Sequence, residues 1–388
     1  MAYDFETVID RRHTHSMKWD VPEGVLPMWV ADMDFPVAPE IREALAARMA
    51  HPVYGYSTIP ESWHRAYADW WRKRHHFEMD PDGLIFCTGV VPAISSIVRK
   101  LTTPNENVLI QTPVYNIFFN SILNNGCRVS ECPLVYDGTR YSMDFGDLEV
   151  KLADPQTTLM IVCNPHNPVG RIWSRDELAR IGHLCTKHHV TVISDEIHCD
   201  LTTPGVSYVP FASVNEDCRR CSITCIAPTK AFNLAGLQTA AVYVPDEVLR
   251  HKVWRALNTD EVAEPNVLAV TAAEAAFNHG EKWLDALREV IDAHKRHAAD
   301  VIARDIPGLR AVDSQATYLL WIDVSRITPD ASRLAQTLLD EAGLMVSEGG
   351  QYGFAGKSFL RWNLACPGSV VNEGLRRLAR GVAAFVRH

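Results

Sequence analysis

The sequence has no long apolar stretch and no excess of positive charge. No segment approaches the roughly 20 apolar residues that a membrane-spanning helix needs, so we expect no membrane partner. The first residues are partly acidic and contain no apolar core of a signal peptide, which predicts a cytoplasmic protein. Lysine and arginine number 38 against 47 aspartates and glutamates, giving a net charge of −9. Nucleic-acid binding needs a dense basic surface, so we expect no nucleic-acid partner.

The ten cysteines form no clear metal-binding pattern. Their number fits a reducing compartment, where cysteines serve as small core residues. Cys218, Cys221 and Cys225 are spaced like metal ligands. However, Cys221 and Cys225 fall in an apolar run that predicts a strand, where alternation would turn both to one face of a sheet. No fourth ligand is obvious nearby, and we therefore predict that the protein has no metal site.

Short apolar runs alternate with helical patterns between residues 85 and 245. Five runs have apolar residues on both faces, which predicts buried strands at 108–110, 159–163, 190–194, 221–226 and 240–244. Among the helical patterns, one begins at Ser174 with Glu177 three residues later, which is the signature of a capping box. This rhythm predicts the α/β class, with a mostly parallel central sheet covered by helices.

The C-terminal part has a different pattern. It predicts a long helix at 281–302, strands at 316–324, 344–347 and 359–364, a helix at 333–342 that Gly343 ends, and a final helix near 371–385. We interpret this part as a smaller α+β domain completed by the other end of the chain. The predicted organisation is a segment 1–45 that packs on the small domain, a large domain 46–285 and a small C-terminal domain 286–388.

Three polar motifs follow three of the predicted strands. The motif 164–170 contains Asn167, Asp195 follows the next strand, and Lys230 follows the one after. Each has an ordinary alternative, since a lone lysine is usually solvated, an aspartate after a strand often caps a helix, and Asn-Pro often forms a turn. Carboxyl ends of parallel strands meet at one edge of a sheet, so the three motifs together predict one binding site.

These residue types suit pyridoxal 5'-phosphate. Lys230 supplies an amine for the cofactor aldehyde, Asp195 a counter-charge for the pyridine nitrogen, and Asn167 a donor to the phenolic oxygen. The cofactor also needs a phosphate cradle and a wall for its ring.

Gly89, Val90 and Val91 stand at the start of a predicted helix, where backbone amides can bind an anion. Thr229 can add a hydroxyl beside the lysine, and Tyr115 can stack on the ring. A core position is the equally good alternative for Tyr115. These five residues complete the predicted cofactor site.

Motifs along nearly the whole chain carry a family resemblance. The chain resembles the aminotransferase superfamily of pyridoxal-phosphate enzymes, known as fold type I. Within it, the chain most resembles the MalY/PatB-type cystathionine β-lyases, which are C–S lyases. The segments that carry the resemblance are 28–35 (MWVADMDF), 54–57 (YGYS), 163–170 (CNPHNPVG), 194–198 (SDEIH), 227–236 (APTKAFNLAG) and 359–367 (FLRWNLACP).

The resemblance implies further roles. Arg361 would grip the substrate α-carboxylate, a task that suits a bidentate guanidinium, and Asp32 would also contact the substrate. Tyr56 would reach the phosphate of the neighbouring subunit's cofactor, which implies a homodimer with shared sites. His198 would lie near the cofactor. Lys230, together with Asp195 and Tyr115, would be catalytic.

The implied activity is cleavage of L-cystathionine, and of related amino acids such as L-cysteine, to a thiol, pyruvate and ammonia. With cystathionine as substrate, such an enzyme would serve methionine biosynthesis. Two alternatives stay open at this point. The first is an aminotransferase that acts on an amino acid and a 2-oxo acid, because it shares the early chemistry. The second is a regulatory protein that binds the cofactor without turnover.

Overall fold

The computed structural model of the chain describes residues 3–387. The strands in this range are β1 Leu26–Pro27, β2 Leu84–Cys87, β3 Asn107–Ile110, β4 Arg128–Glu131, β5 Val135–Tyr136, β6 Tyr141–Ser142, β7 Thr157–Cys163, β8 Thr191–Asp195, β9 Ser222–Ile226, β10 Ala240–Tyr243, β11 Arg310–Ala311, β12 Leu319–Asp323, β13 Leu344–Met345, β14 Ser347–Glu348 and β15 Phe359–Asn363.

The α-helices of the same range are α1 Pro39–Ala50, α2 Glu61–His75, α3 Val90–Leu101, α4 Ile117–Leu123, α5 Phe145–Leu152, α6 Arg175–Lys187, α7 Glu216–Cys221, α8 Pro228–Ala231, α9 Glu247–Thr259, α10 Ala269–His279, α11 Glu281–Asp305, α12 Ala331–Ala342 and α13 Gly368–Arg387. No helix in this range combines the length and the apolar character needed to cross a membrane.

A seven-stranded sheet in the order β2-β10-β9-β8-β7-β3-β4 forms the centre of the molecule. The strands β4, β3, β7, β8 and β9 run parallel to one another, whereas β10 is antiparallel to both of its neighbours. The sheet is therefore mostly parallel and has helices on both faces, as the sequence predicts. Parallel neighbours need a long crossover connection, which here is usually a helix.

Alternate residues of the central strands pack into different hydrophobic clusters. Ile161 and Ile193 lie on one face with Ile94 and Ile97 of α3, while Met160 and the other alternate residues pack on the opposite face with α6. Both faces are thus removed from water, which explains the continuous apolar runs in the sequence. Helix α6 begins at the predicted capping box, because Ser174 and Glu177 exchange side-chain and backbone hydrogen bonds of 3.2 and 2.7 Å.

A second sheet, with four strands, lies in the C-terminal part of the chain. It has the order β11-β12-β15-β14 with antiparallel neighbours, and its apolar face packs with α11, α12 and α13. Strand β1 near the N-terminus pairs in parallel with β13, and Met28 contacts Trp362 of β15. By contrast, α1 packs on α10 beside the central sheet. The division into 1–45, 46–285 and 286–388 stays a prediction.

Two details differ from the sequence prediction. The apolar run at 240–244 has the same pattern as the parallel strands, but β10 is antiparallel to β9. The connection between them contains only the single turn α8 and a 3-10 turn, so it lacks the covering helix of a parallel crossover. The strand predicted at 221–226 begins one residue later in the structure, at Ser222, because Cys221 is the last residue of α7. Cys218 and Cys221 therefore pack on one side of the sheet and Cys225 on the other, so the shared face predicted for Cys221 and Cys225 is wrong.

The contact between α6 and α7 provides a test of this packing. A Cβ atom at Gly182 of α6 would overlap Cys218 of α7, whereas a Cβ atom at Gly236 would meet open space. We expect Gly182→Ala to lower the free energy of unfolding by about 1–3 kcal/mol, because overpacking forces helices apart. Chemical denaturation should find Gly236→Ala close to the wild-type protein. Equal stability of the two variants would contradict the described packing.

Candidate active site

The three central strands β7, β8 and β9 bring the predicted motifs to one sheet edge. Asp195, the last residue of β8, is paired with Cys163 of β7 and Cys225 of β9. The backbone N–H of Asn164 donates to the carbonyl of Asp195 at 2.9 Å, and that of Glu196 donates to Cys225. The loops that contain Asn167, His198 and Lys230 therefore start side by side.

The Asp195 carboxyl lies buried at the centre of this edge. One of its oxygens accepts a hydrogen bond of 3.1 Å from the backbone N–H of Ile197. Burial raises the pKa of Asp195 to about 7, and the opposing effects of that hydrogen bond and of the Lys230 charge are smaller. A cationic group at the carboxylate would stabilise the charged form, so the residue fits a protonated ring nitrogen better than it fits a role as helix cap.

The Lys230 amine lies in the single turn α8, which begins with Pro228 directly after β9. Its Nζ donates a hydrogen bond of 2.6 Å to the carbonyl oxygen of Ala31. Burial and the charge of Arg361 lower the pKa of Lys230 to about 8, while Asp32 and Asp195 act in the opposite direction. A substantial part of the amine is thus neutral near physiological pH, as a nucleophile or a general base must be.

Arg361, in the middle of β15, supplies a buried positive charge from the small sheet. Its guanidinium donates to the Asn167 side chain at 3.3 Å and to the carbonyl of Trp29 at 2.9 Å, and it stacks over the Tyr352 ring at 4.9 Å. Its Nε has no partner among the residues described. No ion pair of Arg361 exists within residues 3–387, so the site offers a buried cation to an anionic ligand.

Segment 29–34 links the two sheets through its backbone. The carbonyl of Ala31 also accepts a 2.9 Å hydrogen bond from the hydroxyl of Tyr318, and the Asn363 side chain donates to the carbonyls of Val30 and Asp32. Carbonyls of one short segment therefore bind Lys230 from the large sheet and Arg361 from the small one.

Charged side chains hold segment 29–34 in place. Asp32 pairs with Arg11 at 2.7 Å, and Asp34 pairs with both Arg11 and the buried Lys18 at 2.7 and 2.8 Å. Asp32, predicted as a substrate contact, thus lies near Lys230 but has its carboxylate bound to Arg11. Its effect on the site, as the structure presents it, is electrostatic.

The predicted anion cradle lies at the start of α3. Gly89 is the N-cap residue, Val90 and Val91 are the first helical residues, and Pro92 has no N–H. The amides of Val90 and Val91 precede the first possible intrahelical hydrogen bond, so they are free to bind an anion. A Cβ atom at Gly89 would crowd Pro92 at 3.1 Å. A side chain at this position would therefore press on the first turn of α3.

The remaining predicted residues have different surroundings. Thr229 is buried beside the lysine, and Tyr115 is half-buried, with its pKa raised to about 12 by burial. His198 is buried in the turn after β8, where burial and the charges of Lys230 and Arg361 lower its pKa, so the ring is neutral. Tyr56 is fully exposed in a segment without helix or strand, outside the buried cluster of its own chain.

The sequence pattern did not single out three parts of the site. Tyr318 and Tyr352 are not among the predicted residues, because nothing in their local sequence distinguishes a core tyrosine from one that faces a ligand. The carbonyls of segment 29–34 were also missed, since a backbone oxygen has no sequence signature. The motif 28–35 was the available signal, although it pointed to Asp32 rather than to the backbone.

Comparisons with known proteins agree with this geometry. Residues 24–378 match the family model described as aminotransferase class I and II. The chain belongs to this family. It is 39% identical over 381 residues to cystathionine beta-lyase PatB of Bacillus subtilis, covering 97% of this chain and 98% of PatB. It is 33% identical to the protein MalY of Escherichia coli, covering 98% and 99% of the two chains.

The fold of the chain also matches that of a solved structure. Cystalysin from Treponema denticola, whose crystal structure contains pyridoxal 5'-phosphate, superposes with a TM-score of 0.96 at 34% identity, covering 99% of this chain and 100% of that one. The resemblance to the PatB and MalY group and the predicted fold are thereby confirmed.

The charge of Arg361 makes a testable contribution to the site. Because that charge lowers the pKa of Lys230, Arg361→Met should move this pKa from about 8 towards the ordinary 10.5. The neutral fraction of the amine at pH 8 then falls, so acylation of Lys230 in the cofactor-free protein, followed by peptide mass spectrometry across a pH series, should slow several-fold. Arg377→Met, far from the site, serves as the control. An unchanged pH profile in Arg361→Met would contradict the electrostatic coupling.

Proposed function

We propose that this protein is a pyridoxal-phosphate-dependent C–S β-lyase that cleaves L-cystathionine, and related amino acids such as L-cysteine, to a thiol, pyruvate and ammonia. The observation that carries the proposal is the juxtaposition of Lys230, which has a lowered pKa, with Arg361, which lacks an acidic partner among the described residues. One group can attack or deprotonate, and the other can hold a carboxylate. An amino acid needs both.

The residues present fit the cofactor. The buried Asp195 carboxyl has a raised pKa that a cationic pyridine nitrogen would relieve, and the free amides at the start of α3 suit a phosphate. Asn167 lies between this edge and Arg361. When bound, pyridoxal phosphate would supply the electron sink that stabilises negative charge at the substrate Cα.

Each side chain then has a physical task. Arg361 holds the α-carboxylate in a position that its contacts with Asn167 and Trp29 fix beforehand, and its unpartnered Nε is free for the ligand. Lys230 takes the proton from Cα, because its amine is partly neutral near pH 8. The carbonyl of Ala31 orients that amine. The neutral His198 and the half-buried Tyr115 lie near the charged groups of the same edge.

An aminotransferase differs from the lyase only after the proton has left Cα, whereas a regulatory protein would not remove that proton at all. Transamination is the second candidate, since the family model includes aminotransferases and every residue named above serves that reaction equally well. A purely regulatory protein is the other alternative, and it would bind the cofactor through the same partly neutral amine of Lys230, so the presence or absence of turnover separates it from the lyase.

The assay that tests the proposal uses L-cystathionine without any added 2-oxo acid. We expect pyruvate, ammonia and homocysteine in equal amounts, with a loss of at least 10³-fold in Lys230→Ala, because the general base is removed. The exposed Lys187→Ala variant should keep wild-type turnover. Borohydride reduction followed by peptide mass spectrometry should place the pyridoxyl group on Lys230.

Two results would decide against this function. Turnover that requires a 2-oxo acid and leaves the carbon–sulfur bond intact would establish an aminotransferase. Attachment of the pyridoxyl group to a lysine other than Lys230 would refute the site itself.

We further propose that the protein acts as a homodimer with shared active sites in the cytoplasm. The fully exposed Tyr56 and the exposed Val53 and Tyr54 support an interface in which Tyr56 reaches the partner's phosphate site. All ten cysteines are free, which suits a reducing compartment. Homocysteine as a product would place the enzyme in methionine biosynthesis.

Combining two impaired variants in one dimer tests the shared sites. A heterodimer of Tyr56→Ala and Lys230→Ala chains has one site with both side chains intact and one site with neither. We therefore expect activity to appear in co-expressed, doubly tagged heterodimers, while the Lys230→Ala homodimer stays inactive and the Tyr56→Ala homodimer has weakened cofactor binding. A fully active monomer in sedimentation, or no gain in the heterodimer, would contradict the shared site.

A further inference from the structure

A second cluster of ligand-type side chains lies outside the active site. His75, Cys199 and Asp200 place an imidazole nitrogen, a sulfur and a carboxylate oxygen within 4.8 Å of one another. His75 is the last residue of α2, and Cys199 and Asp200 lie in the turn after β8. A separation of 125 residues between His75 and Asp200 explains why no spacing motif reveals the cluster.

Hydrogen bonds already hold two of the three ligands together. The His75 Nε2 lies 2.9 Å from one Asp200 oxygen, and the indole N–H of Trp70 donates to both oxygens at 3.0 and 3.1 Å. An ordinary hydrogen-bond network explains these contacts among His75, Asp200 and Trp70. Cys199 packs in the apolar cluster that contains Trp70 and Tyr208, and its sulfur lies within reach of the same point as the imidazole and the carboxylate. Metal sites usually contain such an outer donor, which orients a ligating carboxylate as Trp70 does here.

Asp200 supplies the negative charge of the cluster. The basic side chains around it have acidic partners of their own: Arg74 pairs with Asp285 at 2.9 Å, Arg288 pairs with the same carboxylate at 3.1 Å, and Lys73 pairs with Glu281. The Asp200 charge is therefore available to a metal ion.

An entry path exists from solvent. His75, Cys199 and Asp200 line a cavity of about 350 Å³, whose other charged lining residues are Glu281, Lys73, Arg74 and Arg288. A cavity of this size holds an ion with a water molecule as its fourth ligand. The cluster thus has three ligand atoms, a hydrogen-bond donor to the carboxylate, a negative charge and an opening to solvent.

We propose that His75, Cys199 and Asp200 bind one Zn²⁺ ion per chain, with water as the fourth ligand. Nitrogen, sulfur and oxygen donors in this combination suit zinc, whereas Mg²⁺ and Ca²⁺ prefer oxygen donors alone. On binding, the Cys199 S–H bond breaks, its proton leaves to solvent and a Zn–S bond forms, while His75 binds as the neutral imidazole. No electron is transferred. This assignment differs from the prediction of no metal site, and its ligands are none of the cysteines that the sequence spacing suggested.

The position of the ion would matter to the active site. The N–H of Cys199 donates to the carbonyl of Glu196 at 3.0 Å, within the turn that also contains His198. Zinc would therefore join the end of α2 to the turn beside Asp195. It should raise the resistance of the protein to heat without taking part in turnover.

The test measures zinc on the full-length protein purified with its cofactor. Equilibrium dialysis with elemental analysis should find one Zn²⁺ per chain, and added Zn²⁺ should raise Tm. Cys199→Ser and His75→Gln should each weaken zinc binding at least tenfold, in line with the loss of one ligand. Cys221→Ser is the matched control, because Cys221 is a half-buried thiol elsewhere in the chain. Binding should weaken as pH falls, since the thiol and imidazole must lose their protons.

X-ray absorption of the zinc-loaded wild-type protein keeps the test independent of how the variants fold. It should show one sulfur at about 2.3 Å and nitrogen or oxygen neighbours at about 2.0 Å. A zinc shell without sulfur, unchanged affinity in folded Cys199→Ser, or no bound zinc at all would each overturn the proposal.

Discussion

The active site depends on the backbone carbonyls of segment 29–34. Lys230 comes from the large sheet and Arg361 from the small one, and each donates to a carbonyl of this segment. Two cationic groups repel each other, and in this site burial, followed by that repulsion, lowers the pKa of the lysine. Carbonyl dipoles can hold both groups without neutralising either of them. A carboxylate in the same place would have raised the pKa of Lys230 and occupied the guanidinium of Arg361.

The anchoring of segment 29–34 explains why charged residues near the N-terminus are buried. Lys18 is almost inaccessible to solvent and pairs with Asp34, which also binds Arg11 and the indole of Trp19. Buried charges are costly unless each has partners with good geometry, as these do. The N-terminal segment is therefore part of the architecture of the candidate site, even though it contributes mainly backbone atoms to it.

Much of the fold was predictable because burial leaves a clear signal in the sequence. Strands β7 and β8 are apolar on both faces, and Ser174 with Glu177 marks the start of α6, so both features were found within a few residues. The direction of β10 was not predictable from its apolar pattern, which is the same for parallel and antiparallel buried strands. It follows from the connection that contains Lys230, which lacks a covering helix.

The candidate site was predictable where side-chain chemistry defines it. Asp195, Asn167, Lys230 and Arg361 do converge, because strand ends and the second sheet meet at one edge. Contributions from Ala31 and Tyr318 were not predictable, since one is a carbonyl and the other resembles any core tyrosine. His75 and Cys199 came together only through the tertiary fold.

The pairing of Asp195 with two cysteines has a consequence for chemical selectivity. Cys163 and Cys225 flank it on the neighbouring strands, and burial together with the Asp195 charge raises the pKa of both thiols well above the usual value. A thiolate would be a strong competitor for any electrophilic carbonyl at this sheet edge. Because the two sulfurs stay protonated while the neighbouring amine loses its proton easily, an incoming aldehyde meets nitrogen rather than sulfur as its nucleophile.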